Sequence, residues 1–153
     1  MNRLKTHYPL IFKLFIAFVF IQSLFFKFTA APESIFIFQT IADWSGIALF
    51  EPEGRLLVGT LELVASVLLF IPAFSVYGAL LALGIMTGAI FFHLFTPLGI
   101  VVFDDGGTLF AMACVVFLFS LTLVLREKHK LPIIGKCSRS SGDSTPPATG
   151  PVA

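Results

Sequence analysis

The feature that most constrains this chain is a set of four apolar runs, each about as long as a bilayer is thick. They occupy residues 9–28, 56–74, 76–95 and 107–125. A membrane-spanning helix needs about 20 predominantly apolar residues at a rise of about 1.5 Å each. The first run carries Lys13, Gln22, Ser23 and Lys27; the second holds a single charge, Glu62. The third has His93 near its end, and the fourth is free of charge. Strands of a membrane barrel alternate in polarity, whereas these runs are continuous. The expected fold is therefore all-α: an integral membrane, antiparallel four-helix bundle.

Composition agrees with that expectation. The chain of 153 residues is 57% hydrophobic and 12% charged, against about 25% charged in an ordinary soluble domain. Its 19 Phe residues suit an outer surface solvated by lipid tails. A net charge of +1 offers no basis for a nucleic-acid partner. The spans belong to one transmembrane domain, residues 1–130. Residues 131–153 read as a disordered cytoplasmic tail, since Ser138 to Ala153 is mostly Ser, Pro, Thr and Gly with almost nothing to bury.

The first run also needs weighing against a cleaved secretory signal. Lys27 interrupts the approach to Thr29-Ala30-Ala31, and Pro32 follows directly. Retention as a span is the expectation. Arg3 and Lys5 precede the first run, with Lys13 able to snorkel back toward them, and Arg126, Lys128, Lys130, Lys136 and Arg139 follow the fourth. The two intervening segments are acidic, with Glu33, Asp43, Glu51 and Glu53 in one and Asp104 and Asp105 in the other. By the positive-inside rule both termini lie in the cytoplasm of a cell with a bacterial-type inner membrane. Tyr8 and Tyr77 fall at the inner boundary and Trp44 in the outer segment.

Between the first two spans, Glu33 to Trp44 mixes Ile35, Phe36, Phe38 and Ile41 with Glu33, Gln39 and Asp43. It is too short to span. An interfacial helix in the first outer loop is expected, although Ser34 to Phe38 alone would pass for a strand. The short link Pro72-Ala73-Phe74-Ser75 makes the second and third spans antiparallel neighbours. Gly84 and Gly88, spaced as GxxxG, offer a strip for close approach of another helix, within the chain or from a second copy in a homo-oligomer.

Charged groups inside spans are costly and seldom point at lipid. Glu62 lies seven residues past Arg55, about 10 Å along the second run. Lys27 and His93 sit near the outer ends of the first and third. Helical side chains tilt toward the N-terminus of their helix. Glu62, on a span that starts outside, leans outward, while Lys27 and His93 lean inward. The three converge on one level as a candidate polar pocket, with Asp104 and Asp105 as a candidate rim. Glu62 with Lys27 would form an ion pair, and His93 would hydrogen-bond to Glu62 or exchange a proton with it. Each residue also has a plainer role: Lys27 snorkelling to head groups, His93 as an interface histidine, Glu62 in a purely structural pair, and the aspartates complementing a helix dipole.

Other chemistries lack their residues. Cys114 and Cys137 are 23 positions apart and form neither a CxxC nor a metal-ligand spacing. His7 and His129 lie in the flanks, so no second intramembrane histidine exists to ligate a haem. No zinc spacing, P-loop or dinucleotide fingerprint occurs, and neither a metal nor a resident cofactor is expected.

Ser23-Leu24-Phe25-Phe26-Lys27 closes the first run, and Val58-Gly59-Thr60-Leu61-Glu62-Leu63 stands in the second. Leu68-Leu69-Phe70-Ile71-Pro72 marks the turn, and Met86 to His93 ends the third. In this order and spacing, across residues 12–125, the chain resembles the DoxX family of four-helix membrane proteins. The family usually has Gly where this chain has Ser23, a small residue for a small one. The resemblance implies that Lys27, Glu62 and His93 match the family's polar positions. It also implies a place among membrane partners of redox or thiol-stress proteins, and many members have no assigned activity. The expected function is a non-catalytic, membrane-anchored accessory subunit of a redox or respiratory assembly. A second expectation, from a different class, is a quinone-interacting oxidoreductase subunit with Glu62 and His93 as a proton relay. A transporter is disfavoured because Pro72 and Pro97 lie at the ends of runs, where they break no span.

Overall fold

The structure, a computed structural model, describes residues 4–127. The tail expected at 131–153 and Cys137 lie outside the described residues. The described chain is helical throughout, with no strand among the described residues. Its elements are α1 (Leu4–Phe28), α2 (Pro32–Ser45), a single 3-10 turn (Ala48–Phe50), α3 (Glu53–Phe70), α4 (Ser75–Phe95) and α5 (Thr108–Glu127). Three of these are long and apolar enough to cross a membrane: Tyr8–Phe28 of α1, and all of α4 and α5. The 18 residues of α3 include Glu53, Arg55 and Glu62 and fall outside that group.

The helices outrun the apolar runs at several ends. α1 begins before Pro9, which is accommodated inside it. α3 starts at Glu53 and stops at Phe70, leaving 71–74 as the turn into α4. Hydropathy marks where a helix can be apolar, whereas its ends are set by capping and by proline and glycine.

Local signals explain why 32–45 is a helix. Pro32 stands at its N-terminus, where a fixed φ and a missing N–H cost nothing. Glu33 in the first turn complements the helix dipole. Gly46 ends the helix in the left-handed region (φ 72°), its N–H bonded to the Ala42 carbonyl at 2.9 Å. The buried residues Ser34, Phe38, Ile41 and Ala42 recur at helical spacing and form one face. That face overrides the strand-like look of Ser34 to Phe38.

α1 packs on α3 and α5, and α4 packs on the same two helices; α2 contacts α1 and α3. The end of the molecule carrying α2 is called here the α2 end, and the opposite one the terminal end. The shared core includes Ile16, Phe20, Leu69, Met86, Val116 and Leu123. Where α3 meets α4, small residues bring the backbones together: Ala65, Ala79 and Ala82 are buried. A Cβ on Gly78 would lie 2.7 Å from the Leu69 nitrogen and 3.0 Å from the Ala65 oxygen. Close approach of this kind is how helices associate where both they and their solvent are apolar.

Gly84 and Gly88 play no such part, since nothing lies within 4 Å of a Cβ placed on either. Among the described residues, no helix packs against the GxxxG strip.

At the terminal end, Lys13 reaches Glu127 at 3.4 Å. Arg126 lies over the Tyr8 ring, 4.7 Å from its centre, and Phe12 stacks on Phe119 with centroids 4.0 Å apart. The outward faces are apolar: Leu10, Phe18, Phe25, Val67 and Leu118 are more than half exposed. A soluble protein rarely tolerates so continuous an apolar surface, and the surface is compatible with contact to a lipid bilayer.

Candidate functional site

The last turn of α1 and the first half of α3 build the polar centre. Ser23 and Lys27 are one turn apart, and the Lys27 ammonium donates to the Ser23 hydroxyl. The same ammonium donates to Glu62 Oε1 at 3.0 Å and Oε2 at 3.1 Å. Both side chains are withdrawn from the surface, with exposures of 12% for Lys27 and 3% for Glu62. Gly59, nearly one turn before Glu62, makes room for the lysine stem: a Cβ there would already touch Lys27 Cδ at 3.5 Å. Ser66 donates to the Glu62 backbone carbonyl at 2.8 Å.

Arg55 continues the same stripe, four residues before Gly59. Its Nε donates to both Glu51 oxygens at 2.9 Å, and its guanidinium donates to the Lys27 backbone carbonyl. The last carbonyls of a helix have no partner within it. Arg55 therefore caps the end of α1 while holding Lys27 over Glu62.

His93 occupies the last turn of α4. Its Nδ1 lies 2.6 Å from the Gly99 carbonyl oxygen. A carbonyl only accepts, so Nδ1 carries the hydrogen and Nε2 of the neutral ring is left as an acceptor. The ring meets Phe110 edge-on with centroids 5.7 Å apart. Among the described residues no hydrogen bond joins His93 to Glu62. The direct contact expected from their level along the spans is replaced by the backbone of the loop at 96–107.

These groups face one cavity of about 570 Å³. Ser23, Lys27, Glu62 and His93 supply its polar wall, and Phe20, Phe26, Met86, Phe92 and Met112 much of its apolar wall. α2 and the 96–107 loop cover its α2 end through Phe38, Ile41, Leu98 and Val102, all buried. Phe36 of α2 meets Phe103 of the loop edge-on with centroids 5.1 Å apart.

The two candidate rim residues separate. Asp105 borders the cavity, but its oxygens are engaged by backbone. Oδ2 accepts from Leu109 N–H at 2.8 Å, and Oδ1 accepts from Gly107 at 2.9 Å and Val102 at 3.0 Å. The Leu109 N–H leads in holding this carboxyl below the usual aspartate range; the other two amides and nearby His93 add to it, against some desolvation. Asp105 is thus the cap of α5. Asp104 is exposed, sits in the left-handed region (φ 56°) and is not part of the cavity lining.

Arg55, and Ser23 as a partner of Lys27, are the residues that sequence reasoning did not assign to the site. Their spacing carried a signal. Arg55 stands four residues after Glu51 and seven before Glu62, on one helical face, and Ser23 stands four before Lys27. Among the described residues, no group of three or more His, Cys, Asp or Glu side chains is placed to hold a metal ion. Compared with known protein families, characterised proteins and solved structures, the chain shows no significant match.

Proposed function

We propose that this is a DoxX-like protein of a bacterial-type inner membrane that crosses the bilayer four times, α3 included, with both termini in the cytoplasm. The three charges that set α3 apart are the main obstacle to a fourth span. Two of them have partners inside the protein: Glu62 with Lys27 and Arg55 with Glu51. Paired charges facing a protein interior are compatible with a span in a way that lipid-facing ones are not. Reporter fusions after Gly46 and after Gly99 test the topology; both should report the extracytoplasmic side. A cytoplasmic signal from either would remove the four-span arrangement.

Within that arrangement the protein serves as a membrane-anchored accessory subunit of a redox or respiratory assembly. Its cavity receives a small polar head group. The observation that carries this reading is the buried Lys27–Glu62 pair lining a cavity of about 570 Å³, with His93 on the same wall. A purely structural ion pair has no need of an adjoining space, and cavities of several hundred Å³ with a few convergent polar groups are the usual form of a ligand site. Purification in mild detergent tests the assembly: a redox protein should copurify with the chain. A chain that always emerges alone argues strongly against the accessory role.

One observation favours a second reading, a quinone site. Glu62 and His93 line the same cavity without touching, and His93 Nε2 is left as an acceptor. The hydroxyls of a quinol head between them would donate to both groups, which would then act as a proton relay for the quinone–quinol couple. Glu62→Gln should abolish quinone reduction by the assembly at unchanged protein level; retained activity would end the relay reading.

A further inference from the structure

We propose that the cavity opens sideways, between α1 and α5, and takes its ligand from the membrane: an uncharged amphiphile whose head reaches Lys27 and Glu62 while its tail stays among the lipid chains. This rests on the reading of α1 and α5 as membrane spans and of the cavity as a ligand site. The seam between the two helices has two different halves. Toward the terminal end it is tied shut by Phe12 stacked on Phe119, by Phe15 edge-on to the same ring at 5.2 Å, and by the Lys13–Glu127 pair. Two turns further along each helix, antiparallel register sets Gln22 across from Met112, and Phe26 across from Thr108 and Leu109. In that half, among the described residues, no ring contact, hydrogen bond or ion pair crosses the seam.

The side chains there face both ways. Gln22, Phe26, Thr108 and Leu109 line the cavity and are also exposed on the outside of the protein. Phe26 and Leu109 are each 42% exposed. A residue that lines a cavity and is also exposed marks its mouth. Glu33 and Phe103, beside the same ends of α1 and α5, share both properties and form the lip nearest the head groups. The route from the aqueous side is closed by the buried Phe38, Ile41, Leu98 and Val102. The mouth therefore lies on the α1–α5 flank, with Phe26 and Leu109 as its apolar part, Gln22 and Thr108 as its polar part and the charged Glu33 at the lip.

The chemistry of the occupant follows from the two ends of this path. Lys27 and Glu62 neutralise each other. Inward of the Glu33 lip, with the Asp105 oxygens taken by backbone amides, a head bearing a full charge would find no unpaired partner, and burying it there is expensive. A neutral head with a hydroxyl donates to the Glu62 carboxylate or to His93 Nε2 without that penalty, since Ser23 and Glu62 already take the Lys27 hydrogens. An apolar tail fits past Phe26 and Leu109.

The test uses the full chain in phosphatidylcholine nanodiscs, with Trp44→Phe to silence the native tryptophan and Phe92→Trp as reporter on the wall opposite the mouth. A long-chain alcohol with a doxyl group near its hydroxyl, a neutral amphiphile whose nitroxide quenches tryptophan, is the probe. Quenching should saturate. Adding bulk at the seam with Gln22→Phe should slow its onset about tenfold, as expected where access limits association. Unlatching the cover with Phe36→Ala should leave the rate unchanged. A rate that rises with Phe36→Ala and ignores Gln22→Phe would overturn the lateral route and leave the ligand reading standing. Absence of saturable quenching would overturn the ligand reading instead. The opening is then judged with acyl-brominated phosphatidylcholine alone. Lipid chains reaching the seam should quench the reporter, and Gln22→Phe should reduce that quenching severalfold. An unquenched reporter beside a strongly quenched Leu118→Trp control would show the seam to be closed.

Discussion

The Glu62 carboxylate and the Lys27 ammonium meet at 3.0 Å with both side chains almost wholly withdrawn from the surface. Removing one member strands the other, a loss that typically costs about 3–5 kcal/mol, whereas replacing both with apolar residues of similar volume is often neutral. Glu62→Leu alone and Lys27→Met alone should each lower thermal stability in detergent markedly. The double replacement should recover most of the loss, and a double-mutant cycle measures the coupling. Additive losses would mean that the pair contributes nothing as a pair.

Arg55 bridges two structures at once, the Glu51 carboxylate and the exposed end of α1 at the Lys27 carbonyl. A lysine at this position keeps the charge and loses the planar fork that reaches both. Arg55→Lys should therefore destabilise the protein by about 1–3 kcal/mol, the usual range for leaving a buried polar partner unsatisfied. Heat denaturation of the purified chain checks this. A stability equal to wild type would show that charge alone holds the end of α1.

Asp105 gives the fold a defined acid sensitivity. Backbone amides, led by Leu109 N–H, hold its carboxyl below the range it has in an unfolded chain. A lowered folded value means that the stabilisation is complete above the ordinary carboxyl range and is lost as pH falls through the folded value. Asp105→Ala should cost about 1 kcal/mol near neutral pH, as loss of a helix cap usually does. The difference from wild type should shrink toward zero in acid. A gap that persists unchanged at low pH would remove the carboxylate from the account.

Much of this was legible in the residues, and what was not has physical causes. Length and continuity of the apolar runs indicated helices, and Pro32 and Gly46 bracket α2 as capping chemistry requires. The approach of Lys27 to Glu62 follows from side-chain tilt on antiparallel helices, a property of the helix alone. The partner of His93 does not. Gly99 lies six residues on, in a loop whose path depends on a left-handed glycine and on the Asp105 cap, and helical periodicity carries no information about either. Arg55 was hidden by hydropathy, which treats a buried paired cation like an exposed one. Gly84 and Gly88 show a related limit: spacing tells that two glycines share a face, and within the described residues that face meets no other helix.

The choice of face yields a discriminating experiment between two glycines on one helix. A Cβ at Gly78 would stand 2.7 Å from the Leu69 nitrogen, and 3.0 Å from both the Ala65 oxygen and the Leu68 carbonyl carbon. All three are backbone atoms, so no side-chain rotation relieves the clash and α3 and α4 must move apart. Overpacking of this kind costs about 1–3 kcal/mol, and separation of α3 from α4 would also shift Glu62 relative to His93. A Cβ at Gly84 meets nothing within 4 Å, and alanine there gains helix propensity of up to about 1 kcal/mol. Gly78→Ala should therefore lower the melting temperature in detergent, and Gly84→Ala should hold or raise it. A reversed order would mean that Gly84 contacts something this chain does not supply, and a second copy of the protein would be the first occupant to seek, by cross-linking in the membrane.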